Sequence, residues 1–340
     1  MAIRTSEVEL LRVRSALIHS IELLSLEAVA TALFTPISVV TLLSRVGPIL
    51  ARLHHLVQAC SQAVFGYATT EGQLLGELRD FRITPTEVAA GSLVATGLLA
   101  SGPVWAKSVG GSQSVLAPTS LTDLGSRLRQ LSDRFEPLVR VEKYSSPDGN
   151  RVIVYIPGTQ NLGLINGNPF DMRSNLRLVA GQASASSRAT DMAIRKAGVG
   201  PGDRVMLVGF SQGGLIAAEL GKQSKAGLLS YSVDQVVTFG APVGANAARA
   251  LPNTLSVENK ADIVPHLDAI SNPKSANWQT LEGTVAIDPI RNHSMEAYQQ
   301  ILAQNQPLGE KQPSAMIALT ERFAKGIGTA SYLELGQKVP

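Results

Sequence analysis

The segment with the clearest chemical meaning in the 340-residue sequence is GFSQG, residues 209–213. It follows the apolar run VMLV and precedes the helical pattern LIAAEL, so Ser211 is expected on a sharp turn from a strand into a helix. Gly209 and Gly213 would leave room for the strained backbone of such a nucleophile elbow, and the helix N-terminus would favour negative charge beside the serine. The bare pattern also arises by chance in an ordinary tight turn, but a further glycine, Gly214, and the flanking elements favour a nucleophile.

A reactive serine needs a base, because its hydroxyl is a weak nucleophile until its proton is removed. Only two histidines follow Ser211 in the chain, His266 and His293. His293 comes after the last expected strand, near residues 284–287, and the order serine, acid, histidine is typical of this kind of sheet. We therefore predict His293 as the base and His266 as a loop histidine. The alternative for His293 is a surface position at the start of the helix HSMEAY.

The acid that would orient this imidazole is predicted to be Asp262. It follows the expected strand TLSVE and should lie at the carboxyl edge of the sheet, where Ser211 also emerges. Asp234 precedes a strand and belongs to the opposite edge, while Asp268 and Asp288 are expected to be solvated loop charges. Asp262 would hold the imidazole and stabilise its cation; the alternative is one more solvated loop charge.

Two backbone N–H groups are expected to stabilise the oxyanion of an acyl-transfer reaction. One belongs to Gln212, directly after the serine. The other is assigned to Thr159, in the segment PGT that ends an earlier strand, where an ordinary strand-ending turn is the alternative. The loop from Gln160 to Met172 is rich in apolar residues and is predicted to be either a wall or lid over an acyl site or a packed surface loop.

The composition limits the other classes of function. With 44% hydrophobic and 17% charged residues, the chain can bury a sizeable core. Aromatic residues are sparse at 5% and the net charge is only +3, so no nucleic-acid partner is expected. The single cysteine, Cys60, excludes an intramolecular disulfide and is expected to be a buried thiol. Five histidines without clustered ligand spacing predict neither a metal nor another cofactor.

Apolar runs and helical patterns alternate between residues 123 and 310, the expected catalytic domain. A hairpin opens it, then strands alternate with helices. The expected strands are Leu138–Lys143, Arg151–Ile156, Arg204–Gly209, Gln235–Phe239 and Thr254–Glu258; the expected helices are Ser174–Ala197, ended by Gly198, and one from Leu215 onward. This order predicts an α/β fold, with a mainly parallel sheet flanked by helices on both faces.

Residues 1–105 are expected to form a separate α-helical hairpin region. An apolar helix over Val8–Leu33 would pair with a heptad seam running from Leu43 to Tyr67, with Pro36 at the break between them. Because such a seam must be covered, the pairing is predicted to be antiparallel within the chain or with a partner helix.

Two further segments are expected to carry little regular structure. Residues 106–122 are rich in glycine and serine and are predicted to be a linker. Residues 311–340 are predicted to form one helix, over residues 314–325, and a loose tail.

The N-terminus shows no apolar core or cleavage site of a signal peptide. The apolar segment Val88–Ala106 is broken by Pro103 and is predicted to be buried or part of a linker rather than a membrane span. The expected location is therefore the cytoplasm, or the outside of the cell after export without a cleavable signal.

Five segments together resemble the α/β-hydrolase superfamily, in particular class 3 lipases and GPI inositol-deacylase-like esterases. They are YIPGTQ (155–160), LVGFSQGG (207–214), TFGAPVGA (238–245), NKADIVPHL (259–267) and NHSMEAY (292–298). The resemblance covers about residues 138–300 and implies an α/β-hydrolase fold. It implies a triad of Ser211, Asp262 and His293, with Thr159 and Gln212 as oxyanion donors. Phe210 departs from lipases, which usually have histidine there, although cutinase-like members have aromatic residues.

This resemblance implies a serine esterase or lipase that cleaves a carboxylic ester through an acyl-enzyme, with an ester or lipid as its small-molecule substrate and no cofactor. The same triad would also support acyl transfer or peptide cleavage.

The first 85 residues resemble the WXG-type helical hairpins that type VII secretion exports. The segment YATTE (67–71) matches their Tyr-x-x-x-acidic signal, while LFTPIS (33–38) stands where the W-x-G turn would be. This resemblance implies the secretion machinery or a helical partner as a partner of residues 1–85. The alternative function is therefore an exported helical-hairpin effector, such as a toxin, whose hydrolase domain acts on a partner-specific acyl or peptide substrate.

Overall fold

The structure is a computed structural model that describes residues 101–161, 167–179, 181–244, 251–268, 270–288, 291–305 and 314–338. The chain divides into two compact units, Met1–Thr69 and Thr70–Pro340, and all the described residues belong to the second. The predicted helical hairpin, with Cys60, lies outside the described residues. None of the helices in these ranges is long and apolar enough to cross a membrane.

A mixed sheet of eight strands forms the centre of the described unit. The strands are β1 (Val104–Leu116), β2 (Leu138–Tyr144), β3 (Arg151–Ile156), β4 (Arg204–Phe210), β5 (Ser232–Phe239), β6 (Asn253–Asn259), β7 (Trp278–Gly283) and β8 (Ile327–Gln337). Their order in space is β1-β8-β2-β3-β4-β5-β6-β7. Strands β3 to β7 pair in parallel, while β2, β8 and β1 add antiparallel neighbours at one side. The sheet is therefore mostly parallel and the architecture is α/β, as the alternating pattern predicted.

Helices cover both faces of the sheet. They are α1 (Leu121–Ser132), α2 (Met172–Val179), α3 (Ala185–Lys196), α4 (Gln212–Lys225), α5 (Met295–Gln304) and α6 (Ala315–Glu321). Alternate residues of β3 enter different cores: Val152 and Val154 pack with α3 and α4, whereas Ile153 and Tyr155 pack with α1 and α5. Burial on both faces explains why the central strands are continuous apolar runs.

The predicted helix over residues 174–197 is in fact two helices, α2 and α3. Gly181 has a φ of 70°, in the left-handed region, where the chain leaves the first helix. Ser184 then starts α3 with a capping box, in which its side chain and that of Ser187 bond each other's backbone N–H. The prediction of a left-handed Gly198 after α3 is confirmed, because its φ is 76°.

The predicted linker and the predicted loose tail are both wrong, because residues 104–116 form β1 and residues 327–337 form β8 of the sheet. The two strands pair antiparallel, and β8 also pairs with β2. Gly110 lies where the register between β1 and β8 shifts, between Val109 and Gln113. Most of β1 is exposed to solvent, so this edge strand lacks the apolar run that identifies a strand. The predicted C-terminal helix is present as the shorter α6.

The last parallel strand lies earlier than predicted, at Trp278–Gly283 instead of near residues 284–287. Trp278 is buried and pairs with Thr254 of β6. Val285 and Ile287 are apolar because they pack over the end of the sheet, not because they belong to a strand.

Candidate functional site

Ser211 stands on the sharp turn between β4 and α4. Its φ is 53° and its ψ is −119°, a conformation that costs a residue with a side chain about 1–3 kcal/mol. A Cβ added to Gly209 would overlap the backbone of Gly213, and one added to Gly213 would overlap the carbonyl oxygen of Ile156. The backbone N–H of Ser211 donates to the carbonyl of Phe239 on the neighbouring strand, at 2.9 Å. The turn therefore has the strained geometry that the glycine pattern predicted.

Three predicted side chains from distant parts of the chain meet at this turn. His293 Nε2 lies 2.9 Å from Ser211 Oγ, and His293 Nδ1 lies 2.6 Å from Asp262 Oδ2. The carboxylate is buried and the imidazole is 11% exposed. Asp262 follows β6 and His293 ends a short 3-10 turn before α5, so the parallel strands bring all three to the carboxyl edge of the sheet.

Asp262 is held by two further donors. The hydroxyl of Tyr298, on α5, donates to Oδ2 at 2.6 Å, and the backbone N–H of Val264 donates to Oδ1 at 2.9 Å. Burial, together with the negative charge of Asp262, raises the pKa of Tyr298 well above its ordinary value. The tyrosine is therefore a protonated donor to this carboxylate.

Two buried asparagines join the loops that carry Asp262 and His293. Asn259 donates to the carbonyls of Val285 and Asn292, at 2.8 and 3.1 Å, and accepts from the Val285 N–H at 3.0 Å. Asn292 donates to the carbonyl of Ala261 at 3.0 Å and accepts from the Ile287 N–H at 2.7 Å. These bonds connect the loop after β6, the segment after β7 and the turn before α5 into one unit.

Phe210, the residue at which the sequence departs from the lipase pattern, lies against the imidazole of His293. The ring centroids are 4.8 Å apart and the planes are inclined by 25°. On its other side Phe210 meets the edge of the Tyr298 ring at 6.1 Å. The aromatic residue before the serine therefore stacks on the imidazole and restricts its orientation.

The predicted oxyanion donors lie on the two segments that flank Ser211. Gln212 is the first residue of α4, so the helix itself supplies no partner for its backbone N–H. The loop of Thr159 also reaches the serine, because a Cβ added to Gly158 would lie 3.2 Å from Ser211 Cβ. The Thr159 hydroxyl accepts a hydrogen bond from Asn175 at 2.9 Å, which leaves its own proton free to donate.

A buried polar network fixes the segment beyond Thr159. The side chain of Gln212 donates to the backbone carbonyl of Asp171 at 2.8 Å. The Asp171 carboxylate is fully buried and accepts from the side chain of Gln337 and the N–H of Ser174, both at 2.8 Å. Burial raises the pKa of Asp171 above its usual range. Hydrogen bonds through Asp171 thus connect Gln337, at the end of β8, to Gln212, the residue after the serine. No local pattern in the sequence indicated this connection.

The apolar loop predicted as a wall or lid lies partly outside the described residues, at 162–166. Of its described apolar residues, Pro169 and Phe170 are buried, and Phe170 belongs to the core beside α4. Phe170 is therefore a packing residue rather than an exposed surface for an acyl chain.

The rejected candidates have other partners or lie at the surface, and one expectation about them is wrong. Asp234 lies near the start of β5 and pairs with Arg204 at the opposite edge, and His266 is exposed on a 3-10 turn. Asp288 is half-buried and accepts from the backbone N–H of Arg291. Asp268 was expected to be solvated, but it is buried and accepts from the backbone N–H of Ile270.

Three further carboxylates, those of Glu258, Asp268 and Glu282, form an electrostatically coupled group with Asp262. Burial, and the charges of Glu282, Asp268 and Asp262, raise the pKa of Glu258 to about 7, although a hydrogen bond from Asn272 opposes the shift. Within the described ranges, no three His, Cys, Asp or Glu side chains are grouped so that they could hold a metal ion.

No protein-family model matches the chain, and no curated protein is significantly similar to it. The contacts around Ser211 are therefore the basis for inferring its function.

Proposed function

We propose that the protein is a serine hydrolase of the α/β-hydrolase fold, which cleaves a carboxylic ester in the manner of lipases and esterases. The observation that carries this proposal is the hydrogen-bonded chain from Ser211 through His293 to Asp262. The α/β-hydrolase fold is supported by the strained turn of Ser211 after a central parallel strand. It is also supported by the positions of the acid after β6 and the histidine before α5.

The bond from His293 to Asp262 determines which ring nitrogen is the base. A buried ionised carboxylate only accepts hydrogen bonds, so His293 Nδ1 must carry the proton that lies between them. In the neutral ring Nε2 is then free to accept the proton of the Ser211 hydroxyl. This is the protonation state that a general base for serine needs before the reaction.

The reaction would proceed in two halves around an acyl-enzyme. Ser211 Oγ attacks the acyl carbon while His293 Nε2 takes the hydroxyl proton, and the backbone N–H groups of Thr159 and Gln212 stabilise the oxyanion. His293 then gives that proton to the departing alcohol oxygen as the ester bond breaks. In the second half His293 takes a proton from water, the water oxygen attacks the acyl carbon, and the Ser211–acyl bond breaks, with the proton returned to Ser211.

The decisive experiment is covalent labelling with a fluorophosphonate probe, which reacts with activated serines. We expect wild-type protein to be labelled and Ser211→Ala to lose labelling completely. The hydrolysis rate of p-nitrophenyl esters should fall by at least about a thousandfold in the same variant. Esters of graded chain length would then define the acyl preference.

A suitable control is Ser232→Ala, because Ser232 is exposed at the start of β5, on the edge opposite to the site. It should keep full labelling and activity. Labelling that persists in Ser211→Ala, or a wild-type protein that neither reacts with the probe nor hydrolyses any ester, would contradict the proposal.

A further inference from the structure

Asp262 Oδ2 accepts two hydrogen bonds of equal length. One comes from His293 Nδ1 and the other from the hydroxyl of Tyr298, each at 2.6 Å. Tyr298 is completely buried, and its ring packs edge-on against Phe210 and Phe239 at centroid distances of 6.1 and 6.2 Å. The tyrosine hydroxyl is therefore held in place by its packing and cannot easily turn to another acceptor.

We propose that Tyr298 is a positioning residue of this site, which locks the Asp262 carboxylate toward His293 and limits how strongly that carboxylate attracts the imidazolium. The inference rests on the proposed function for its effect on catalysis. Its effect on His293 itself follows from the hydrogen bonds alone.

Sharing one oxygen between two donors has a definite electrostatic consequence. The Tyr298 hydroxyl draws negative charge from Oδ2, so this atom is a weaker partner for a positive imidazole than a carboxylate bonded to histidine alone. At the same time, the hydroxyl prevents the carboxylate from rotating away from Nδ1. Loss of the hydroxyl should therefore raise the pKa of His293 and loosen its orientation.

The other charged groups around this pair are the carboxylates of Glu258, Asp268 and Glu282, and two ion pairs, one of which joins Lys260 to Glu282 at 3.0 Å on the exposed side. Glu258 interacts with both Tyr298 and Asp262, while Asp268 and Glu282 act on Glu258. Arg291, on the turn of His293, pairs with Glu296 on the exposed side. A change from tyrosine to phenylalanine leaves all of these groups in place, so a shift in the His293 titration would report the lost hydroxyl.

The direct test is an NMR titration of the His293 imidazole in wild-type protein and in Tyr298→Phe, with His293→Asn used to assign the resonance. We expect the His293 imidazole to keep its proton to a higher pH in Tyr298→Phe than in wild type. The matched control is Tyr231→Phe, because Tyr231 is also buried and its hydroxyl donates to an aspartate, Asp191, at 3.1 Å, at the opposite edge of the sheet. It should leave the titration unchanged.

Catalysis supplies the second measurement. In Tyr298→Phe we expect kcat on a p-nitrophenyl ester to fall by about tenfold and KM to change by less than about twofold. The acid limb of the kcat–pH profile should move to higher pH together with the NMR titration. The NMR result needs no turnover, so it remains decisive even if the protein proves not to hydrolyse esters.

Should Tyr298→Phe fail to fold, wild-type protein with 3-fluorotyrosine in place of tyrosine gives the opposite perturbation. Fluorination makes the hydroxyl a stronger donor, so the pKa of His293 should fall. A His293 titration that is unmoved or moves downward in Tyr298→Phe, or a loss of kcat with an unshifted pH profile, would overturn the inference. An equal shift in Tyr231→Phe would do the same.

Discussion

Ser211 adopts a backbone conformation that glycine reaches at lower cost. Of the described residues other than glycine, only Ser211 and Phe135 have a positive φ. The strain projects the hydroxyl from the end of β4 toward His293, where a relaxed strand-to-helix connection would turn it elsewhere. The hydrogen bond from Ser211 to His293 is thus obtained at the expense of local stability.

Comparing two variants that lack the Ser211 hydroxyl measures that strain. Ser211→Ala and Ser211→Gly both lose the hydrogen bond to His293, but only glycine relaxes the backbone at a φ of 53°. Glycine also has more freedom to lose on folding, which offsets part of the gain. We expect Ser211→Gly to have a free energy of unfolding about 1 kcal/mol higher than Ser211→Ala, measured in urea. A Ser211→Gly variant that is less stable than Ser211→Ala, by the roughly 0.5–1 kcal/mol that the extra freedom of glycine costs, would show that the turn stores no strain.

The sequence predicted the residues with a local pattern or a required position in chain order. Ser211 stands in a recognisable motif, and His293 and Asp262 could be placed because parallel strands present their ends at one edge. Tyr298, Asn259 and Gln337 could not be found in this way. Each acts through buried hydrogen bonds to residues distant in the chain, and neither the spacing of residues nor the composition of the sequence indicates such contacts.

The end of β6 concentrates negative charge beside the site, and this makes stability depend on pH. The pKa of Glu258 is about 7 in the folded protein, against an ordinary value of 4.5. Because the folded state holds this proton more tightly than the unfolded chain, the stabilising contribution is complete below pH 4.5 and is lost as pH rises through 7. Above that range the ionised carboxylate destabilises the fold.

Glu258→Gln should remove this penalty, because the amide stays neutral and can still accept the hydrogen bond from Asn272. We expect the variant to gain stability over wild type between pH 5 and pH 8, reaching about 1 kcal/mol after allowance for solvent screening. Urea unfolding at both pH values measures the difference. Glu136→Gln, an exposed position at the other side of the sheet, serves as the control. A gain that is the same at both pH values would contradict the assignment of Glu258.

The elements themselves were predictable where both faces of the sheet are covered, and less so at its margins. Strands β3 to β6 are apolar runs because helices pack on either side, and the sequence located each within about three residues. The edge strand β1 is largely solvated, so its glycines indicated a linker. Strand β8 mixes buried and exposed residues, so its pattern predicts a loose end rather than a strand. The two strands are defined by their pairing with each other, across more than two hundred residues of sequence, and by the pairing of β8 with β2.

At the scale of the whole molecule, the first and last described strands, β1 and β8, form one side of the sheet. They are also connected to the candidate site through hydrogen bonds. Val104 of β1 pairs with Gln337 of β8, and the Gln337 side chain bonds Asp171, whose carbonyl accepts from Gln212 beside the serine. A boundary placed inside the expected linker would therefore cut through the sheet. The compact unit Thr70–Pro340 keeps β1 intact.

Two fragments test this organisation. A fragment of residues 111–340 lacks the pairs from Val104 to Val109, so the part of β8 from Tyr332 to Gln337 becomes an edge of the sheet and Gln337 loses its partner in β1. We expect its thermal midpoint to lie about 10 °C below that of a fragment of residues 70–340, with more aggregation and slower fluorophosphonate labelling. Circular dichroism melting and labelling rates measure the two effects. If both fragments melt at the same temperature and react equally fast, β1 contributes neither to the stability of the sheet nor to the arrangement around Ser211.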